Sequence, residues 1–248
     1  MQPLLSFTNV SKRYPDGART IVVLDRVSFD IDAGTEVGVL GARRSGKSTL
    51  LRLASGLEQP DTGTVRFEGQ DMSRMSSLQR GRLFHSAIGL VSTDAWRPTP
   101  REPVVDYLVL TLVSYGSALS DARYKARRVL DEVGVPHCAD ELVSSLPMVE
   151  RVRVILARAL IRQPRLLLVD EPAVIPSLRE RDEFYTLLRT LVRESHMTLI
   201  VASEDAAALH GAAVAMSIGA GQLSSTDRSG TVVAFPERHQ GFSESRRS

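Results

Sequence analysis

Four short apolar runs, residues 36–40, 87–91, 165–169 and 198–202, are rich in Val, Leu and Ile and have the length of strands covered on both faces. Between them, apolar positions recur at helical spacing over 47–56, 121–133, 149–161 and 179–194, which predicts helices with one buried face. Ser120 stands where the second of these needs an N-cap and Gly134 where it needs a stop, while Pro164 follows the third. Strands alternating with helices predict an α/β domain built on a largely parallel sheet.

Two stretches depart from that rhythm. Residues 1–33 and 63–70 alternate apolar with polar positions, as at Val65 and Phe67, which suits antiparallel strands packed beside the main core. Residues 92–163 are helical in pattern, with joints at Pro98, Pro100 and Pro103, and read as a helical insertion in the α/β domain. The end of the chain, from Ser224 to Ser248, is rich in Ser and Arg and is expected to be loosely ordered, with an edge strand possible only at 232–235. The expected division is one domain over 1–225, with the helical subdomain at about 92–163, and a basic tail over 226–248.

Composition narrows the class. The 248 residues carry 31 Lys plus Arg against 29 Asp plus Glu, a net charge of +2, which argues against a chain that coats nucleic acid. Only Lys12, Lys47 and Lys125 are lysines, so the basic side is almost all arginine. The single cysteine, Cys138, excludes an internal disulfide and a Cys-rich zinc module, pointing to a reducing compartment, with the cytosol as default. The N-terminus lacks a signal-peptide pattern. Apolar stretches such as 104–113 fall short of the roughly 20 residues of a membrane span, so work at a membrane would need a partner to supply it.

One segment carries specific chemistry. Gly41-Ala42-Arg43-Arg44-Ser45-Gly46-Lys47-Ser48 follows the strand at 36–40 and opens a helix at Ser48-Thr49. Backbone N–H groups of such a loop converge on an anionic phosphate, helped by the positive end of the helix. Lys47 is expected to reach the β- and γ-phosphates and the Ser48 hydroxyl to ligate Mg²⁺. An accidental glycine-rich turn is the plain alternative, but chance yields this pattern in roughly two per thousand chains of such composition. A second apolar strand ends in Asp170-Glu171, with Asp170 the metal candidate and Glu171 the general-base candidate. Alone, a strand ending in Asp-Glu-Pro is more often a turn; paired with the loop it reads as a nucleoside-triphosphatase signature.

These motifs, in this order, resemble the ATP-binding subunits of ABC transporters over about residues 5–223, closest to the lipoprotein-release and macrolide-export type. The resemblance also rests on Val10-Ser11-Lys12-Arg13-Tyr14, the residues 27–34 leading to the loop, and Leu57-Glu58-Gln59-Pro60-Asp61-Thr62-Gly63. Arg153, Ala157-Arg158-Ala159-Leu160, Pro164 and residues 166–172 complete it. It implies a P-loop NTPase core of RecA-like type, with an N-terminal antiparallel β subdomain and an inserted helical subdomain. It also implies ATP and Mg²⁺ as ligands, with Tyr14 stacking on adenine and residues Gly41 through Thr49 around the phosphates.

Several positions depart from the family pattern. Ser92 replaces the glutamine that senses Mg²⁺ and γ-phosphate. Leu146-Pro147-Met148-Val149 replaces the Leu-Ser-Gly-Gly signature, and Ser177 falls where the family has a cross-interface aspartate. Glu204 replaces the switch histidine, setting an anion where γ-phosphate is expected, and Arg44 stands in place of a loop glycine. Since family subunits sandwich ATP between one subunit's loop and the other's signature, the resemblance implies a heterodimer with a more complete subunit. Hydrolysis at this chain's own site is expected to be weak or absent, with ATP acting there as a clamp.

A transmembrane permease subunit is the other implied partner, holding the chain on the cytoplasmic face of the membrane. Trp96, Pro98, Val104 and Tyr107 are the candidate contacts, with a place in the helical subdomain's core an equal prospect for Val104 and Tyr107. A different class stays open: a nucleotide-binding pseudoenzyme that regulates or scaffolds a membrane complex without powering transport.

Overall fold

The computed structural model describes residues 2–93, 99, 101–170, 175, 177–226 and 232–234. Strands β1 (Leu5–Asp16), β2 (Arg19–Ile31), β4 (Thr62–Phe67) and β5 (Gln70–Asp71) form an antiparallel sheet in the order β2-β1-β4-β5. Alternation buries Leu5, Phe7, Val65 and Phe67 on one face, where Phe7 stacks on Phe29 at 4.5 Å between ring centroids.

The second sheet runs β11-β10-β9-β3-β8-β7-β6, with β3 at Glu36–Leu40, β6 at Ile88–Ser92, β7 at Leu166–Asp170 and β8 at Thr198–Ser203. β3, β6, β7, β8 and β9 (Val214–Gly219) pair in parallel, while β10 (Gln222–Thr226) and β11 (Val232–Ala234) add an antiparallel edge. The four apolar runs thus form the buried parallel strands that their composition requires. β7 lies between two hydrophobic clusters. Leu166 and Leu168 pack with α1 (Lys47–Ala54) and the antiparallel sheet, whereas Leu167 and Val169 pack with the helices on the other face.

Between β6 and β7 the described residues include the helices α3 (Val104–Val113), α4 (Leu119–Glu132) and α5 (Met148–Leu160), and α6 (Leu178–Glu194) leads into β8. α4 begins at Leu119, two residues before the start that a cap at Ser120 would give. Ala118 is the extended residue before it, Ser120 is already helical, and Asp121 supplies the favourable charge in the first turn. Its other end is as expected: Gly134 N–H donates to Asp131 at 2.9 Å and Val135 N–H to Leu130 at 2.9 Å, a double closure that satisfies the last carbonyls.

A further helix, α2 (Ser77–Ala87), is closed by a reciprocal cap between Ser76 and Gln79. Ser224–Thr226, expected within a loose tail, instead belong to β10 because they pair with Ser217, Met216 and Ala215.

Candidate functional site

The parallel strands bring their carboxyl ends to one edge. Leu40 pairs with Ser203, Asp170 with Ala202, and Ser92 with Asp170, so the residues that follow these strands converge where open α/β sheets bind ligands. Gly41 starts the loop there. Its N–H donates to the Ser203 carbonyl at 3.2 Å, and a Cβ would fall 2.7 Å from Ile218 Cγ2 and 2.8 Å from the Ile218 carbonyl. Only glycine fits so close a passage. Gly46, at φ 107, caps α1, with no side chain bonded to that helix end and no acid in its first turn.

Ala42, Arg43 and Arg44 lie exposed at the tip, and Arg44 holds φ 63, a left-handed conformation that costs a non-glycine residue roughly 1–2 kcal/mol. Ser45 N–H closes the turn onto Ala42 at 3.1 Å, while its Oγ is buried without a hydrogen-bond partner. Lys47 is only 6% exposed. Its Nζ donates to the Gly41 and Ala42 carbonyls at 2.7 and 3.0 Å and stands 3.9 Å from a Glu204 carboxylate oxygen. The Ser48 hydroxyl donates to Asp170 Oδ1 at 3.1 Å, joining two positions far apart in sequence. A hydroxyl and a carboxylate side by side are hard oxygen donors of the kind Mg²⁺ takes. The orphaned Ser45 hydroxyl and the uncapped helix end leave the loop suited to an anionic phosphate.

Tyr14 sits near the end of β1, against Thr49 of α1. Its hydroxyl bonds to the Glu58 carboxylate, and burial followed by that neighbour pushes its pKa up. Lys12 Nζ lies 5.4 Å from the ring centroid.

A family model described as ABC transporter matches residues 24–174, more than half the chain and the stretch that holds the loop, Ser48 and Asp170. The chain belongs to the ABC transporter family. The fold agrees. The ATP-binding cassette MJ0796, described as a bacterial ABC transporter cassette and solved as a dimer bound to ADP and Pi, superposes with a TM-score of 0.81 at 24% identity, over 88% of this chain and 95% of that one. CbiO1 from Clostridium perfringens, part of the ABC transporter complex CbiONQ, gives 0.77 at 22% identity, over 90% and 87%.

In this cassette the other candidate positions are distributed unequally. Ser92 and Glu204 stand at the loop's edge of the sheet, and Glu171 lies outside the described residues. Leu146 to Val149 are at the start of α5: Leu146 is buried in the helical cluster, Pro147 precedes the first turn, Met148 is 38% exposed and Val149 packs on the cluster. Ser177 caps α6, its hydroxyl accepting the Glu180 N–H at 3.3 Å. Val104 is core and Tyr107 is buried with its hydroxyl bonded to Arg158, whereas Trp96 and Pro98 lie outside the described residues.

Arg181, which the motifs did not single out, bonds Asp205 at 2.7 Å and the Ile175 carbonyl at 3.3 Å. It ties the segment after β7 to the one after β8. Its only sequence signal is an arginine in the second turn of a helix, which many surface residues share.

Proposed function

We propose that this cassette binds Mg-nucleotide through residues Gly41 to Thr49 and works as one member of an unequal pair, hydrolysing ATP slowly or not at all at its own site. The observation that carries this is Glu204, whose carboxylate lies 3.9 Å from Lys47 Nζ. Catalysis of phosphoryl transfer is positioning and charge stabilisation. An anion beside the lysine opposes the charge that develops on the transferred group, and it costs rate more than it costs binding.

Lys47 would turn from the loop carbonyls to the phosphates, while Ser48 and Asp170 would hold Mg²⁺. When bound, that ion neutralises phosphate charge. Glu171 would orient and deprotonate an attacking water, without a glutamine at Ser92 to complete the shell. Leu146 to Val149 offer the opposite site neither a serine hydroxyl nor glycines, and Ser177 no carboxylate. These departures favour a second, more complete cassette as partner over a second copy of this chain.

A transmembrane permease would hold the pair at the cytoplasmic face. No helix among the described residues is long and apolar enough to cross a membrane. The lipoprotein-release and macrolide-export type remains the proposed subgroup, with 1–225 as the cassette, about 92–163 as its helical subdomain and 226–248 as its tail. Turnover of the assembled complex tests the reading. Lys47→Ala should empty this site, and Glu171→Gln should change turnover little; a large loss from Glu171→Gln overturns slow hydrolysis here.

A further inference from the structure

Away from the nucleotide loop, three metal-ligating side chains of different kinds converge in the helical subdomain. After α4 the chain turns through a short 3-10 segment, Pro136–Asp140, where Pro136 starts the turn and Cys138 N–H donates to the Val135 carbonyl at 3.2 Å. That segment brings His137 and Cys138 against Glu150 in the first turn of α5. His137 Nε2 and Glu150 Oε1 are 2.9 Å apart, and one ligand atom from each of the three residues lies within 4.8 Å of the other two. A four-coordinate zinc ion holds N, O and S ligands at about 2.0–2.3 Å from itself, and so about 3.3–3.8 Å from one another. The spacings here, from 2.9 Å between imidazole and carboxylate to at most 4.8 Å, bracket that range.

Exposure is graded across the group. The His137 side chain is 58% exposed and that of Glu150 27%, while Cys138 is fully buried. An ion arriving from solvent would therefore meet the imidazole first and the sulfur last. Among the described residues no lysine or arginine pairs with Glu150, although Asp140 on the same short segment is paired with Arg127 at 2.8 Å. The plain alternative is a staple in which imidazole and thiol both bond to the Glu150 carboxylate and fix the start of α5 without an ion. A staple could be built from hydroxyls and amides. Thiol, imidazole and carboxylate together are instead the set that zinc and related ions take, and that Mg²⁺ does not.

We propose that His137, Cys138 and Glu150 form a binding site for a divalent transition-metal ion of the zinc class, with water in the fourth position. As the sulfur ligates, its proton is displaced to solvent. The ion would join the segment after α4 to the first turn of α5, the turn that opens with Met148 and Val149 in place of the family signature. The site uses none of Lys47, Ser48 or Asp170, so its failure would leave the nucleotide reading untouched.

Cobalt, whose spectrum reports its ligands, tests this on the metal-free full chain without nucleotide. Cys138 is the single cysteine, so a thiolate-to-cobalt charge-transfer band can arise only there. One equivalent of Co²⁺ should produce that band, one of Zn²⁺ should bleach it, and Mg²⁺ in about hundredfold excess should leave it unchanged. Zinc at about 100 times its Kd should raise the Tm by about 5–10 °C. His137→Gln, at an exposed position, and Glu150→Gln should each weaken cobalt binding at least about tenfold, and Cys138→Ser should remove the band. Absence of a charge-transfer band overturns the site. A band of unchanged affinity in both His137→Gln and Glu150→Gln means that the thiol acts alone and overturns the triad. A zinc-induced Tm gain that persists in Cys138→Ser assigns the ion to other groups and overturns the proposal. Mg-ATP binding, measured on the same preparation, reports separately on the loop.

Discussion

Lys47 and Arg162 are both cations drawn out of water, and the fold treats them differently. Lys47 has two loop carbonyls within hydrogen-bond distance and Glu204 at 3.9 Å, so its charge is compensated within the chain. Among the described residues Arg162 meets a neutral imidazole, an aromatic face and a second arginine, and no carboxylate pairs with it. The difference separates two kinds of environment: a ligand entering the loop must displace contacts already made, whereas Arg162 has no ion pair of its own among the described residues.

Replacing the lysine breaks the comparison most severely. Lys47→Ala should weaken Mg-ATP binding about 100-fold, roughly 2.7 kcal/mol, by isothermal titration, with little change in Tm. A loss below threefold would mean that the loop holds phosphate without its lysine.

Glu204→Gln removes the internal counter-ion and should act in the opposite direction. Unit charges 4 Å apart interact by about 4 kcal/mol at an effective dielectric constant of about 20, and exposure of Glu204 reduces this, so ATP affinity should rise about tenfold. ADP should gain less, because it lacks the γ-phosphate. Equal gains for both nucleotides would place the carboxylate away from the terminal phosphate.

On the side of Arg162, pH supplies a smaller effect. The pKa of His85 falls from 6.5 to about 4 on folding. Between those values the unfolded chain binds a proton that the folded chain refuses, so this residue's contribution to stability is present above pH 6.5 and lost as pH falls toward 4. Since the ring is partly exposed, the loss should be modest. His85→Phe should flatten the decline in Tm from pH 7 to pH 5; an unchanged slope assigns the decline to other groups. The smallest expected signal is chemical. Burial, then Glu150, pushes the Cys138 thiol up to about 12, so alkylation at pH 8 should proceed only with unfolding.

The loop was legible because its parts are contiguous: strand, glycines, lysine and helix follow one another within a few residues. The same holds for β3, β6, β7 and β8, whose apolar runs need cover on both faces. The hairpin of β9 and β10 leaves no clear mark in the sequence because Val214–Gly219 and Gln222–Thr226 mix small and polar residues, without the long apolar runs of the central strands. The α2 helix had a readable cap in Ser76 and Gln79, but its weakly apolar face gave no periodic signal. Contacts between distant segments were not readable from local pattern. Gly41 to Ser203, Ser48 to Asp170 and Arg181 to Asp205 depend on strand order. Arg158 is legible as part of the family pattern, but its place beside Arg162, just past the end of α5, depends on α3 and the end of α2.

The alternation of β7 has a consequence for how the molecule comes apart. Leu166 and Leu168 belong to one cluster, Leu167 and Val169 to the other, so the same five-residue strand is a wall of both. Neither layer can melt without stripping the strand that the other is built on. Heating should therefore produce one cooperative transition shared by the antiparallel sheet and the helices, and a cavity cut at Leu168 should lower the melting of both together.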